Sequence, residues 1–168
     1  MRKILLFFLT VLMCSFYVFG QSFFIPKEHY YYQVKMKVAR VIDGDTFVLV
    51  DSTHVKLLGV NTPELEEKNI EDSLFADSAA HFLKMLIDKK IVKLTFDRKL
   101  YGFYGRLLAY VWLTNTEGRD SLFIQAELLK AGLARMFYYP KTMKYYYIFQ
   151  NLKRTARRKA LGIWGIKR

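Results

Sequence analysis

The chain has 168 residues, of which 52% are hydrophobic, and its 27 Lys and Arg outnumber its 15 Asp and Glu for a formal net charge of +12. This length fits one domain with a short appendage, and the apolar content is high enough for a packed core. The only cysteine, Cys14, excludes an internal disulfide framework and a cysteine-based zinc site. No acidic residue follows Glu127. The positive charge of this last part fits either a polyanionic partner, nucleic acid or an anionic membrane surface, or a plain solvated face.

The N-terminal segment has the pattern of a secretory signal. Arg2 and Lys3 precede an apolar run over residues 4–19, and Gly20 offers a small residue before Gln21. Because this run is shorter than the ~20 residues that a spanning helix needs, we predict a signal peptide at residues 1–20. The alternative is an uncleaved anchor, through which alone the chain would contact a membrane. Residues 21–33 are predicted to be a linker or arm, and residues 34–166 the folded domain. The expected location is outside the cell, in the periplasm or in the cell envelope.

The remaining chain alternates predicted strands and helices. Period-two alternation predicts five strands, at residues 34–42, 46–50, 55–60, 91–96 and 106–113. Helical spacing predicts three helices, at residues 73–88, 122–130 and 144–160. Capping signals for the first two are Asp72 or Ser73, Asp120 or Ser121, and Gly132 at the end of the second. This order predicts an α+β fold, a five-stranded OB-type Greek-key β-barrel with three packed α-helices.

Two polar turns flank the hairpin predicted at residues 46–60. Asp43-Gly44-Asp45 precedes it, and the segment 61–64, Asn-Thr-Pro-Glu, follows it. A hairpin of this length brings its two ends together, since antiparallel neighbours lie only about 5 Å apart. Oxygen ligands from both turns could then surround a hard cation such as calcium. The alternative for Asp43-Gly44-Asp45 taken by itself is an ordinary turn.

Five blocks of sequence together resemble one known family, the staphylococcal nuclease (thermonuclease) family. They are residues 42–46, IDGDT; 56–64, KLLGVNTPE; 104–110, YGRLLAY; 132–134, GLA; and 161–164, LGIW. The blocks follow the order and spacing of that family. The resemblance implies an OB-type fold and a calcium-dependent nuclease acting on DNA and RNA.

The resemblance also assigns roles to individual residues. It implies metal ligands at Asp45, Asn61 and Thr62. It implies a general base at Glu64 and phosphate-binding cations at Lys56 and Arg106. It places Tyr104 and Tyr138 in the nucleotide pocket. The catalytic and pocket residues also have structural alternatives. Glu64 could be an ordinary exposed side chain, and Lys56 the polar half of a strand. Arg106 could form an ion pair with Glu64 or Asp45, and the two tyrosines could serve in packing.

Two positions depart from the family pattern. Lys56 stands where arginine is usual, and Asn61 where aspartate is usual in the best-known members. Lysine keeps the charge but loses the planar fork that holds two phosphate oxygens at once. Asparagine keeps an oxygen ligand but removes one negative charge. Both changes predict weaker metal binding or slower turnover.

The sequence therefore predicts a monomeric, secreted or envelope-associated calcium-dependent nuclease of DNA and RNA. In this hypothesis Glu64 acts as the general base, and Lys56 and Arg106 stabilise the phosphoryl charge. The main alternative is a catalytically weak OB-fold module that binds nucleic acid. A third hypothesis, a membrane-surface protein, rests on the basic C-terminal part and the apolar N-terminus.

Overall fold

A computed structural model describes residues 32–64, 70–115, 119–137 and 143–165, with the first four residues of its first helix described by backbone only. The predicted signal, nearly all of the predicted arm and Tyr138 lie outside these ranges. The strands are β1 Gln33–Val41, β2 Thr46–Leu49, β3 His54–Leu57, β4 Val60–Asn61, β5 Ile91–Thr95, β6 Leu107–Thr114, β7 Asp120–Phe123 and β8 Arg135–Met136. The helices are α1 Ile70–Ile87, α2 Ile124–Ala131 and α3 Tyr146–Arg158, with short 3₁₀ turns at Phe103–Gly105 and Gly162–Trp164.

The main sheet closes on itself. Its strand order is β3-β2-β1-β5-β6-β7, and β3 also pairs in parallel with β6. Five strands therefore form a ring, as the sequence predicts for an OB-type barrel, and β7 extends the sheet beyond β6. The α+β fold prediction is confirmed, although the strand count is higher than predicted.

The third predicted strand is interrupted at Gly59. Its φ of +85° lies in the left-handed region, and an added Cβ would lie 2.8 Å from the Phe149 ring and 2.9 Å from Met143 Cε. Glycine is therefore required here both for backbone conformation and for space. The interruption separates β3 from β4, and β4 pairs with β8 instead of continuing the barrel, with Asn61 opposite Arg135.

The start of the second helix differs from the prediction. The sequence predicts a helix from residue 122 with Asp120 or Ser121 as its cap, but Asp120–Phe123 is strand β7, and α2 begins at Ile124. The prediction was wrong because pairing with β6, with Trp112 opposite Phe123, satisfies the backbone in a way that no local signal shows. The predicted stop at Gly132 is confirmed, since it caps α2 with φ +70°.

The other two helices also shift at their ends. Helix α1 begins at Ile70, three residues before the predicted start, and α3 is shorter than predicted at both ends. Such shifts are ordinary at helix termini, where hydrogen bonding frays. No helix in the described ranges is long and apolar enough to cross a membrane.

A buried polar side chain, Asp97, ties a loop to the barrel. The buried Asp97 carboxylate accepts hydrogen bonds from the Tyr110 hydroxyl at 2.8 Å, from Arg98 N at 2.7 Å and from Lys144 N at 3.1 Å. Burial, followed by the hydrogen bond to Asp97, raises the pKa of Tyr110 above its ordinary value, so its hydroxyl stays protonated. Asp97 thereby fixes the chain before α3 against strand β6.

Candidate active site

The first acidic turn places Asp45 inside the protein. Asp43 Oδ1 accepts a hydrogen bond from Asp45 N at 2.9 Å, and Ile42 N donates to Thr46 O at 2.9 Å, so the turn is closed by local bonds. The Asp45 side chain is only 4% exposed. Its Oδ1 accepts from Thr46 Oγ1 at 2.9 Å. A carboxylate this buried requires further partners, because an uncompensated buried charge is costly.

The second turn supplies one of those partners. Thr62 N donates to Asp45 Oδ2 at 3.1 Å across 17 residues of sequence. Gly44, in the first turn, faces the second: an added Cβ would be 2.7 Å from Thr62 Oγ1 and 2.6 Å from Ala79 Cβ on α1. A side chain at residue 44 would therefore push the two turns apart or away from α1. The turns meet as the hairpin geometry predicts, and Gly44 is the contact point.

Lys56 lies between the two turns. Its Nζ donates to Asp45 Oδ1 at 2.6 Å and to Asn61 Oδ1 at 3.1 Å. The side chain is 17% exposed, so it points into the site rather than into solvent. Asn61 Nδ2 donates in turn to Thr62 O at 3.2 Å. A carboxylate, an amide oxygen and a backbone carbonyl are thus gathered within a few ångströms, with an ammonium group bridging the first two.

Arg106 lies immediately before β6, next to the turn that carries Tyr104. Its Cζ is 5.7 Å from the centre of the Tyr104 ring. Its Nε is buried and has no hydrogen-bond partner in the part of the chain that the structure describes. No ion pair joins Arg106 to Asp45 or Glu64 in the described ranges, so the structural alternative of an ion pair is not realised there. A buried donor of a permanently charged group without a partner is available to an anionic ligand.

Glu64 is exposed and follows the buried Pro63. It makes no hydrogen bond or ion pair with any residue that the structure describes. A carboxylate without a partner among these described residues is available to a water molecule. Of the two predicted pocket tyrosines, Tyr104 is 95% exposed, and Tyr138 lies outside the described residues.

The acidic turn carries two neighbouring carboxylates. Burial raises the pKa of the Asp43 carboxyl above its ordinary value of 3.8, and the negative charge of Asp45 adds to this effect. A nearby positive charge relieves such repulsion. Within the described ranges no three His, Cys, Asp or Glu side chains cluster as metal ligands do. The oxygen set gathered here contains one carboxylate, with an amide and a backbone carbonyl.

Several supporting residues were not identified from the sequence. Thr46 donates a hydrogen bond to Asp45, and Gly44 leaves the space that Thr62 and Ala79 occupy. Phe103 stands beside Tyr104 with 77% of its surface exposed. For Gly44 a signal existed, since a glycine between two aspartates indicates a tight turn. For Phe103 no signal existed in the sequence, because an apolar residue in a loop is normally expected to pack inward.

The fold and the site together define a class: an OB-type barrel that holds a buried carboxylate, an amide oxygen and a lysine at one end, with an arginine at the start of a neighbouring strand. A sequence profile described as "Staphylococcal nuclease homologue" matches residues 54–165. The chain belongs to the staphylococcal nuclease family. The expected class of enzyme, a phosphodiester-cleaving nuclease, is confirmed at this level.

Individual relatives agree with the family assignment. The chain is 38% identical over 130 residues to a thermonuclease of Staphylococcus intermedius, covering 76% of this chain and 74% of the relative. It is 34% identical over 132 residues to a thermonuclease of Staphylococcus hyicus, with coverages of 76% and 74%. It is also 34% identical over 136 residues to endonuclease YncB of Bacillus subtilis, covering 78% of this chain and 62% of the relative.

Proposed function

We propose that the chain is a calcium-dependent nuclease that hydrolyses phosphodiester bonds of DNA and RNA. The observation that carries the proposal is the meeting of Asp45, Lys56, Asn61 and Thr62, with donor–acceptor distances of 2.6–3.2 Å. Family membership supplies the reaction class, and this cluster supplies a place for it.

The oxygen donors suit a hard cation. Asp45, Asn61 and Thr62 offer carboxylate, amide and carbonyl oxygens, the ligand types that calcium takes. The position between the first two already holds a positive group, the Lys56 ammonium. This contact supports the proposal that a positive charge is favoured at this position. Calcium bound there would neutralise negative charge on the phosphoryl oxygens of a substrate.

The proposed chemistry of the protein side chains follows from their placement. Glu64 orients the attacking water toward phosphorus and takes a proton from it. The water oxygen bonds to phosphorus, the phosphorus–oxygen bond to the leaving nucleotide breaks, and the leaving oxygen takes up a proton from solvent. Arg106 donates its unpartnered Nε–H to a phosphoryl oxygen, where negative charge grows in the transition state. Lys56 adds a second cation, without the bidentate geometry that arginine offers. Tyr104 and Tyr138 are proposed to contact the nucleotide.

A metal-dependent cleavage assay tests the proposal. A fluorescent single-stranded DNA is incubated with the full chain in calcium and then in excess chelator. We expect cutting only with calcium, and a loss of at least about a hundredfold in Glu64→Gln, within the range for a general base. The glutamine is close in size to glutamate, so its thermal unfolding should match the parent. Calcium-independent cutting, or full activity in Glu64→Gln, would contradict the assigned roles.

One observation favours the second candidate, a nucleic-acid-binding module with little activity. Lys56 contacts two of the three proposed metal ligands in this structure. Strand binding without cutting, at any calcium concentration up to millimolar, would support this alternative.

For the cellular setting we propose export of a monomer, with residues 1–20 removed. N-terminal sequencing of the protein recovered outside the cytoplasm tests this, and a product that begins at Met1 would contradict it.

A further inference from the structure

Three aromatic side chains stand in solvent on one short segment, residues 101–105, which we call the aromatic turn. Tyr101 is 51% exposed, Phe103 77% and Tyr104 95%. Single exposed apolar residues are common, but three large rings within four residues form an apolar patch of the kind that marks a binding surface.

The backbone holds this turn in place. Gly102 N donates to Arg106 O at 2.9 Å, and Leu108 N donates to Leu100 O at 2.7 Å, so both sides are tied together. Tyr104 adopts a left-handed conformation with φ of 61°, which is unfavourable for a bulky side chain. Such conformations persist only where the surrounding structure imposes them, and they concentrate at functional sites. The rings are therefore displayed on a fixed support.

Each of the two most exposed rings has a cation beside it. Lys99 Nζ is 5.6 Å from the centre of the Phe103 ring, and Arg106 Cζ is 5.7 Å from that of Tyr104. Rings alternating with cations complement a nucleic acid strand, in which bases alternate with phosphates. Arg106 also carries the buried, unpartnered Nε. The aromatic turn is thus continuous with the proposed phosphate site.

We propose that Phe103, flanked by Tyr101, is a stacking surface for an unpaired base next to the phosphodiester held at Arg106. This inference rests on the proposed function and extends it: the surface selects strands whose base faces are accessible. In a duplex those faces are covered by neighbouring bases, so the aromatic turn favours single-stranded DNA or RNA and unpaired ends. Stacking does not depend on base identity, because every base has a π-face.

Equilibrium binding separates stacking from other contributions. The full chain is titrated into a fluorescent single strand in excess chelator, which prevents cutting. We expect Phe103→Ala to weaken binding by about tenfold, within the range of one base–aromatic contact. Phe103→Leu should lose most of the same affinity, because leucine is apolar but has no flat ring on which a base can stack. Phe103→Trp should restore it.

Two controls isolate the base as the partner. An abasic strand of equal length should bind the parent and Phe103→Ala equally well. Tyr147→Ala removes a ring that is similarly exposed, 76%, but lies on α3, and should leave binding unchanged. Equal affinity of Phe103→Ala and the parent for the base-bearing strand would overturn the inference, as would an equal loss with the abasic strand. If the parent chain cuts its substrate but either of these outcomes is found for Phe103→Ala, only the stacking surface is refuted. If the parent chain neither binds nor cuts, the proposed function is refuted.

Discussion

Replacing Lys56 with methionine tests whether an internal ammonium competes with calcium. In the structure Lys56 Nζ lies 2.6 Å from Asp45 Oδ1 and 3.1 Å from Asn61 Oδ1, and both oxygens are proposed metal ligands. An ion that coordinates them must first displace the ammonium. Lys56→Met keeps the length and the apolar stem of the side chain, so it removes the charge with little change in packing.

The magnitude follows from the burial of the pair. At an effective dielectric constant of about 20, unit charges 4 Å apart attract by about 4 kcal/mol, and desolvation of both groups offsets part of this. We expect displacement of the ammonium to cost calcium binding about 1.4–2.8 kcal/mol. Calcium affinity should therefore be tenfold to hundredfold tighter in the variant. Without calcium the same variant leaves Asp45 without its cation, so its free energy of unfolding should fall by about 3 kcal/mol.

Calorimetric titration with calcium and thermal unfolding in calcium and in chelator give two independent measurements. Lys56→Met should bind calcium more tightly, melt earlier in chelator and gain more from calcium than the parent does. Lys93→Met is the matched control, since Lys93 also pairs with a carboxylate, that of Asp120 on the edge strand β7, and contacts none of the proposed metal ligands. A calcium affinity of Lys56→Met within twofold of the parent would refute the competition.

Three further changes have defined outcomes. Lys56→Arg should raise kcat severalfold in the cleavage assay because the guanidinium can bind two phosphoryl oxygens, and unchanged or lower activity would contradict this. Asp97→Ala should lower the free energy of unfolding by about 2–4 kcal/mol in a urea titration, because the buried Tyr110 hydroxyl loses its acceptor. A loss below about 0.5 kcal/mol would show that Asp97 is not an anchor. Gly132→Ala should lower the melting temperature by roughly 5–15 °C, because the new Cβ would lie 2.2 Å from Leu161 O at a left-handed position. An unchanged melting temperature would mean that the chain near Leu161 moves away at no cost.

Most strands of the barrel and the meeting of the two turns could be predicted from the sequence because strand alternation and turn residues are local signals. The hairpin at residues 46–57 is predicted by strand alternation, a short polar loop and a glycine between aspartates. These signals do not depend on the rest of the fold. Strand β7 could not be predicted, because Asp120 and Ser121 carry helix-capping signals and only β6 makes that segment a strand.

The sequence alone also could not show that the Lys56 side chain points toward Asp45 inside the site. Alternation places it on the face opposite Val55 and Leu57, but whether that face meets water or Asp45 depends on how the barrel closes. The exposure of Phe103 is a further case, since its position depends on the backbone of Gly102 and Tyr104 rather than on hydrophobicity. In both cases the deciding partner is distant in sequence or is the backbone itself.

The parallel pairing of β3 with β6 determines how this molecule can fail on heating. Lys56 faces Leu108 across that pairing, and Arg106 precedes Leu108 by two residues. The hydrogen bonds that close the barrel are therefore the same ones that set the separation of Lys56 and Arg106, the two cations proposed to bind phosphate. When these hydrogen bonds break, the barrel opens and the separation of the two cations is no longer set. We therefore expect no partly unfolded form that still cleaves its substrate. Activity and tertiary structure should vanish at one shared temperature.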